Sequence, residues 1–234
     1  KLLGITTPPN AVIKITSTIP MASGLGSGAA VSTCLARAVA ASVGHTVAPA
    51  DLNSIIYEIE KLHHGTPSGI DNTVIVYEQP VYFVRGKPIE VLSITTPLTL
   101  VVADTGVSMP THIPVSDVRK LLESDPQCTQ PVLDAIGHIT RDARTALTSG
   151  DVTALGPLMT QNHQYLQQLT VSSAMLDQLV EAALNAGALG AKLSGAGRGG
   201  NMIALVTTDT IESVKQALTE AGATRVFQTT VHAL

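Results

Sequence analysis

The order of apolar and polar positions divides the first part of the chain into strands and helices. Residues 11–17 alternate and are rich in β-branched side chains, which predicts a strand. Residues 29–43 are rich in alanine and contain no Gly or Pro, which predicts a helix ended by Gly44. Apolar residues recur at helical spacing between 50 and 62, and Asp51 is the predicted N-cap of that second helix.

Strands dominate the next stretch, and helices dominate from residue 105 onward. The predicted strands are 81–85, 90–93, 98–104, 191–194, 202–206 and 225–231, and the predicted helices are 114–123, 132–148, 151–166, 173–186 and 210–221. The closing order of helix, strand, strand, helix, strand suits one antiparallel sheet with helices packed on one face. We therefore predict an α+β protein with domains at 1–104 and 105–234.

Composition narrows the class of protein. Of the 234 residues, 44% are hydrophobic and 14% are charged, and no apolar run approaches the ~20 residues of a transmembrane helix. The net charge of −4 argues against nucleic acid as a bulk electrostatic partner. The two cysteines, Cys34 and Cys128, are expected to be reduced thiols. We predict a cytoplasmic protein with neither a membrane nor a nucleic acid as partner.

A glycine-rich segment lies between the first predicted strand and the first predicted helix, where residues 19–30 read IPMASGLGSGAA. Gly24, Gly26 and Gly28 carry no Cβ, so the backbone can turn sharply and an anion can approach closely. The helix that follows offers N–H groups and the positive end of its dipole, which favour a phosphate. The alternative is a tight strand-to-helix turn with no ligand. The segment has neither the Walker pattern nor the dinucleotide-binding pattern.

Two carboxylates flank a second segment, from Glu60 to Asp71. Phosphoryl transfer to an alcohol requires an acceptor for the hydroxyl proton and positive charge near the polyphosphate. A helix dipole supplies only about half a charge, so a divalent cation is needed, and the two carboxylates could divide these roles. The alternative is that Glu60 is a surface helix residue and Asp71 caps a short helix. The adjacent His63 and His64 diverge, and no third ligand is spaced for zinc.

A third glycine-rich segment, KLSGAGRGGN at 192–201, lies between two predicted strands. This segment could be a loop that closes over the substrates. The alternative is a hairpin connection between the two strands that binds no ligand.

These three segments resemble the motifs of the GHMP kinases (galactokinase, homoserine, mevalonate and phosphomevalonate kinases). The first is similar to the second GHMP motif, Pro-x-x-x-Gly-Leu-Gly-Ser-Ser-Ala, which it matches at Pro20, Gly24, Leu25, Gly26, Ser27 and Ala29. Residues 64–71 resemble the corresponding segment of the mevalonate kinase branch, as do 104–111, 162–166 and 176–177. Residues 192–200 resemble the third motif, with Arg198 at a commonly glycine position.

The resemblance implies a fold, a reaction and a set of site residues. It implies the GHMP kinase fold: a ribosomal-S5-like N-terminal domain, incomplete here, and a ferredoxin-like C-terminal domain. It also implies ATP- and Mg²⁺-dependent phosphorylation of the C5 hydroxyl of mevalonate to 5-phosphomevalonate, and a homodimer is compatible with it. By resemblance, Asp71 is the catalytic base and Glu60 the metal ligand. The implied nucleotide-binding residues are Ser17, Ser23, Gly24, Leu25, Gly26, Ser27 and Gly28, and the implied substrate-binding residues are His64, Ser68, Gly195, Ala196 and Gly197.

The chain also departs from the family pattern. The first GHMP motif is absent, and Lys14 does not match its lysine. We expect a piece of a longer chain that has no kinase activity by itself and leaves an apolar sheet face uncovered near 11–17. The alternative is a naturally short, non-catalytic binding relative. A basic cluster around Arg198 would instead fit a phosphorylated acceptor, as in phosphomevalonate kinase.

Gly28 replaces a serine that offers its hydroxyl to Mg²⁺ in the family pattern. Either a water fills the vacant ligand position, or a glycine is required by the backbone geometry at the helix start.

Overall fold

The computed structural model describes residues 10–17, 19, 25–64 and 67–232, with the backbone alone at 63 and 64. The chain divides into two compact units, residues 1–91 and 92–234. The predicted boundary after residue 104 differs from this division, because the strand that ends there belongs to the sheet of the second unit.

The first unit contains three helices and one small antiparallel hairpin in its described part. Its elements are α1 (Ser27–Ser42), α2 (Pro49–His64), α3 (Ile70–Tyr77), β1 (Val81–Tyr82) and β2 (Glu90–Val91). Four fully buried residues, Ala29, Leu52, Ile56 and Val76, form its core where the three helices meet. Gly44 follows α1 with a φ of 74°, which confirms the predicted stop because a left-handed residue suits glycine best.

Three predictions for this unit differ from the structure. Residues 10–17 are exposed and form no strand, with Val12 98% exposed, because no described residue supplies a ladder partner. Asp51 lies in the first turn of α2 and is not its N-cap, since the helix begins at Pro49. The alternative for Asp71 predicts a short helix capped by this residue; α3 forms there, but Gly69 is its N-cap and Asp71 lies in its first turn.

The second unit is built on a four-stranded antiparallel sheet with the strand order β4-β5-β3-β6. The strands are β3 (Leu98–Asp104), β4 (Gly190–Ser194), β5 (Asn201–Val206) and β6 (Arg225–Val231). The helices are α4 (His112–Ser124), α5 (Pro126–Ser149), α6 (Val152–Gln168), α7 (Ala174–Asn185) and α8 (Ile211–Glu220). All the strands and helices predicted for this unit are present. Their ends agree with the prediction to within two residues, except that α5 begins at Pro126, six residues before its predicted start. The α+β class is therefore confirmed.

Both faces of this sheet are covered, whereas helices on one face were predicted. On one face Val101 and Ala204 pack with residues of α7 and α8 such as Leu179 and Leu218. On the other face a smaller cluster joins Leu205 to residues of α6 and to the segment before β3; its buried members are Ile94, Leu98, Leu155, Met159 and Leu205. The physical reason is visible in β3 and β5, whose near-continuous apolar runs are typical of strands buried on both sides.

Helix α6 lies directly against the outer edge of β4. A Cβ added to Gly190 would lie 1.9 Å from the carbonyl oxygen of Gly156, and one added to Gly156 would lie 2.2 Å from that of Leu189. Asp151 is the N-cap of this helix, because its carboxylate accepts a hydrogen bond from Ala154 N at 3.0 Å. The two glycines therefore allow a helix and an edge strand to meet backbone against backbone.

In the described part of the chain, none of the helices combines the length and apolar character that crossing a membrane requires.

Substitution of Gly190 by alanine tests the close approach of α6 and β4. Its Cβ would overlap a backbone oxygen that cannot move independently, so we expect Gly190→Ala to lower the free energy of unfolding by at least ~2 kcal/mol. Gly137→Ala is the matched control, because a Cβ there meets only the Arg141 side chain at 3.7 Å. Alanine inside α5 should raise stability by about 0.5–1 kcal/mol. Urea unfolding of the three proteins measures both changes, and equal stability of the two variants would contradict the close contact.

Candidate active site

The start of α1 is the centre of the candidate site in the first unit. Gly26 has φ 68° and ψ 26°, a left-handed conformation that turns the chain into the helix at Ser27. No side chain of the described residues caps this helix start by hydrogen bonding, and its first turn carries no acidic residue. The first backbone N–H groups and the positive end of the helix dipole are therefore suited to an anion. Ser23 and Gly24 lie outside the described residues.

Two acidic residues, Glu60 and Asp71, lie beside this helix start. A Cβ added to Gly28 would be 3.4 Å from Glu60 Oε1, and a Cβ added to Gly26 would be 3.9 Å from the Cβ of Asp71. Glu60 is only 4% exposed, whereas Asp71 is exposed in the first turn of α3. The structure thus brings Gly26, Gly28, Glu60 and Asp71 together and gives the two carboxylates different surroundings.

The burial of Glu60 contradicts its alternative interpretation as a surface residue. Leu52, Ile56 and Glu60 are spaced four residues apart, which puts all three on the core-facing side of α2. The first two side chains are at most 1% exposed and anchor the helix. The same spacing in the sequence could have shown that Glu60 points inward.

A small polar network, not recognised from the sequence, fixes α3 relative to α2. Asn72 Nδ2 donates to Asn53 Oδ1 at 2.6 Å, and Thr73 Oγ1 donates to Gly69 O at 2.6 Å. Asn72 and Thr73 are at most 2% exposed, so both side chains are buried with hydrogen-bond partners. Because Asp71 directly precedes them, this network determines where its carboxylate lies.

The remaining predicted residues of the first unit make only local contacts among those described. Ser17 Oγ accepts a hydrogen bond from Ile19 N at 3.1 Å, and Ser68 Oγ accepts one from Ile70 N at 3.3 Å. Both serines are exposed. Leu25 and Ser27 are half-buried at the helix start. Helix α2 ends at His64, for which the structure describes the backbone alone.

The described residues do not form a metal site by themselves, since no group of three His, Cys, Asp or Glu side chains among them is arranged to hold an ion. A cation at Glu60 would therefore need ligands beyond these described side chains, and a bound molecule and water are suitable sources.

The glycine loop, residues 195–200, connects β4 to β5 in the second unit and is held by backbone hydrogen bonds on both sides. Arg198 N donates to Val171 O, and Gly200 N donates to Val107 O, each at 2.8 Å. A Cβ on Gly197 would lie 1.9 Å from Val171 O, so only glycine fits there. Gly195 and Ala196, the other predicted substrate-binding residues, lie at the beginning of the loop, and Gly195 is exposed.

The side chain of Arg198 fixes the same loop to α4 and to the end of α6. Its guanidinium donates to Thr170 O at 2.9 Å and to Asp117 Oδ2 at 2.6 Å. Arg198 has a φ of 57°, an unfavourable conformation for a residue with a Cβ, which these contacts help to maintain. The guanidinium is thus engaged inside the unit by Asp117 and Thr170, whereas the alternative of a phosphorylated acceptor calls for a basic cluster around Arg198.

Comparison with known proteins places both units in one family. Residues 1–79 match the GHMP kinases N terminal domain, and residues 143–224 match GHMP kinases C terminal. The mevalonate kinase of Pyrococcus horikoshii is 38% identical over 200 residues, which cover 82% of this chain and 58% of that protein. The mevalonate kinase of Aeropyrum pernix is 34% identical over 220 residues, which cover 94% of this chain and 68% of that protein.

A solved structure agrees with these relatives. The crystal structure of L. major mevalonate kinase in complex with R-mevalonate superposes with a TM-score of 0.86 at 33% identity, covering 90% of this chain and 67% of that one. The chain therefore spans roughly three fifths to two thirds of the length of these three mevalonate kinases.

Titration of Asp117 tests the contact with Arg198. Hydrogen bonding to Arg198 is the largest cause that lowers the pKa of Asp117 below 3.8, and bonding to Lys120 is the second. We expect Arg198→Ala to raise this pKa more than the control Lys120→Ala does, measured by NMR of the carboxyl carbon. Because the pKa is lowered in the folded chain, the stabilisation is present above pH 3.8 and is lost as the pH falls below it. An Asp117 pKa that is the same in the parent and Arg198→Ala proteins would disprove the contact.

Proposed function

Because the chain belongs to the GHMP kinase family, we propose that its protein is a mevalonate kinase, which transfers the γ-phosphoryl group of ATP to the C5 hydroxyl of mevalonate. The products are 5-phosphomevalonate and ADP. The proximity of Glu60 and Asp71 to the start of α1 carries this proposal. The relatives named mevalonate kinase support the choice of substrate. The proposal concerns the whole encoded protein, which we expect to act in the cytoplasm.

In this proposal the phosphates of ATP bind at the N-terminus of α1. The backbone amides of Leu25, Gly26, Ser27 and Gly28 donate to them, together with those of Ser23 and Gly24. The helix dipole adds a favourable interaction that falls off within the first turn. Ser17 contacts the nucleotide. An acidic chain, with a net charge of −4, can bind a polyphosphate because this attraction is local.

Glu60 is the proposed protein ligand of Mg²⁺. A single buried carboxylate next to a phosphate site fits this ion, which is usually bound by one or two carboxylates plus substrate phosphates and keeps several waters. When bound, the ion would neutralise negative charge on the phosphates. The burial of Glu60 restrains its carboxylate next to Gly28.

Asp71 is the proposed proton acceptor for the C5 hydroxyl. It is exposed at the start of α3, so a substrate hydroxyl can reach its carboxylate. His64 and Ser68 from the same segment are proposed to contact mevalonate, and so are Gly195, Ala196 and Gly197 of the glycine loop. The hydrogen bonds at both sides of that loop would keep it in one conformation for binding.

A comparison of acceptor substrates distinguishes a mevalonate kinase from a phosphomevalonate kinase and from a non-catalytic relative. Purified protein, including any residues that the gene encodes beyond these 234, is assayed for ADP formation with mevalonate, phosphomevalonate, homoserine and galactose. We expect the highest kcat/KM with mevalonate. Phosphomevalonate as the best acceptor would identify the other kinase, although the engagement of Arg198 with Asp117 does not favour it. ATP binding without ADP formation from any acceptor would identify a non-catalytic relative.

Asp71→Asn tests the proton acceptor. The variant keeps the side-chain shape and removes the base, so kcat should fall by at least ~10²-fold with little change in ATP affinity. Asp51→Asn is the matched control, because Asp51 occupies the first turn of α2 as Asp71 occupies that of α3. Its kcat should remain at the parent value. Near-parent turnover of Asp71→Asn would rule out this role.

Gly28→Ser tests the metal ligand. Gly28 has no positive φ, and among the described residues a Cβ there would meet Glu60 Oε1 alone, at 3.4 Å, so these residues impose no need for glycine on the backbone. The serine hydroxyl should replace a water on Mg²⁺ and lower the Mg²⁺ concentration for half-maximal rate. Gly28→Ala controls for the added Cβ and should leave that concentration unchanged. If serine and alanine shift it equally, the ligand explanation is wrong.

A further inference from the structure

Backbone N–H groups on the outer edge of β4 donate hydrogen bonds to side chains of α6. Ala191 N donates to Thr160 Oγ1 at 3.4 Å, and Leu193 N donates to His163 Nδ1 at 3.3 Å. Residues 160 and 163 lie on one face of the helix, and residues 191 and 193 lie on one edge of the strand. Leu193 is 1% exposed, so its N–H depends on His163 for a partner.

The hydrogen bonds of His163 determine which ring nitrogen carries the proton. Leu193 N–H is a donor, so Nδ1 must accept and cannot be protonated. Nε2 lies 3.1 Å from Asp177 Oδ1, and a carboxylate oxygen accepts, so Nε2 carries the proton. The same carboxylate oxygen accepts from Ser172 Oγ at 2.5 Å, which holds it in place. The imidazole is therefore neutral and fixed at both nitrogens.

The surroundings of His163 oppose its protonation. Burial lowers the pKa of the imidazole below 6.5, the nearby charge of Asp177 acts in the opposite direction, and the charge of Lys192 lowers it further. Among the described residues these two are the charged groups that act on it, one from α7 and one from β4. Lys192 Nζ also donates to Leu193 O at 2.8 Å, so the backbone of Leu193 is held at its N–H and at its carbonyl.

We propose that His163 is a positioning residue that holds the end of β4 for the glycine loop and releases it when the imidazole is protonated. A second proton on the ring would turn Nδ1 into a donor facing Leu193 N–H. That buried N–H would lose its acceptor two residues before Gly195, where the loop begins. The loop is then less restrained when the ring is charged, which requires a pH below 6.5, than at neutral pH.

The direction of the pH dependence follows from the lowered pKa. The unfolded chain binds the proton at the ordinary pKa of about 6.5, above that of the folded chain. The contribution of His163 to stability is therefore fully present above pH 6.5 and is lost as the pH falls towards the folded pKa.

Hydrogen exchange of the Leu193 amide tests the inference without any need for turnover. In the parent protein, the protection factor of this amide should fall by about 10-fold between pH 7.5 and the lower pH at which the ¹⁵N shifts of His163 show a charged ring, as expected for one lost hydrogen bond. Amides of the central strand β3 serve as internal controls and should keep their protection. A Leu193 protection factor that does not change, or that changes only together with those of β3, would overturn the proposal.

Two variants separate the roles of the two ring nitrogens. In His163→Asn the amide oxygen lies near the position of Nδ1, so Leu193 should keep its acceptor and its protection should not depend on pH. In His163→Gln the amide lies near the position of Nε2, so Leu193 should lose protection at every pH. Persistence of the parent pH dependence in His163→Asn would disprove the role of His163.

A measurement on the parent protein covers the case in which a variant does not fold. The ¹⁵N chemical shifts of His163 at pH 7.5 should show a protonated Nε2 and an unprotonated Nδ1; the opposite tautomer or a charged ring would overturn the assignment.

The kinetic consequence rests on the proposed function, whereas exchange and chemical shifts do not. If the parent phosphorylates mevalonate, its KM should rise on going from pH 7.5 to that lower pH more than that of His163→Asn. Equal KM profiles would remove the link to substrate binding. A parent without kinase activity would refute the proposed function and leave the exchange experiment decisive.

Discussion

Close contact between backbones, at positions where no side chain fits, is the constraint on which the second unit depends. A Cβ on Gly190, Gly197 or Gly199 would lie 2.4 Å or less from a backbone carbonyl oxygen. Backbone atoms cannot move away from such an overlap as a flexible side chain can, so larger residues would shift whole elements. This constraint brings α6 onto the edge of β4 and joins the glycine loop to the segments on either side of it.

Polar side chains supply the hydrogen bonds that this close approach of backbones requires. Close approach leaves the strand edge facing a helix, so its N–H groups need acceptors there, and Thr160 and His163 supply them. At the other end of the connection, Arg198 binds Asp117 and Thr170 across the loop. The loop is therefore restrained by glycines, backbone hydrogen bonds and charged groups together, which favours a single conformation.

The first unit achieves its arrangement differently. Its carboxylates are placed by helix packing: Glu60 shares the buried face of α2 with Leu52 and Ile56, and Asp71 follows the turn into α3 at Gly69. One carboxylate is removed from solvent and the other faces it. That contrast suits one group that binds a cation and one that exchanges a proton, and it results from the register of two short helices.

The sequence by itself determined the elements whose periodicity is strong and the segments whose residues carry chemistry. Helices such as 173–186 and strands such as 98–104 depend on local spacing, and the resemblance of residues 64–71 to the mevalonate kinase branch singled out Glu60 and Asp71. Tertiary structure decided what local spacing cannot encode. Residues 11–17 alternate like a strand but form none, because a strand needs a partner, and α3 forms although its first turn follows turn formers. The roles of Arg198 and His163 depend on Asp117, Asp177 and Leu193, which are distant in sequence or on other elements, and only folding brings those groups within hydrogen-bond distance.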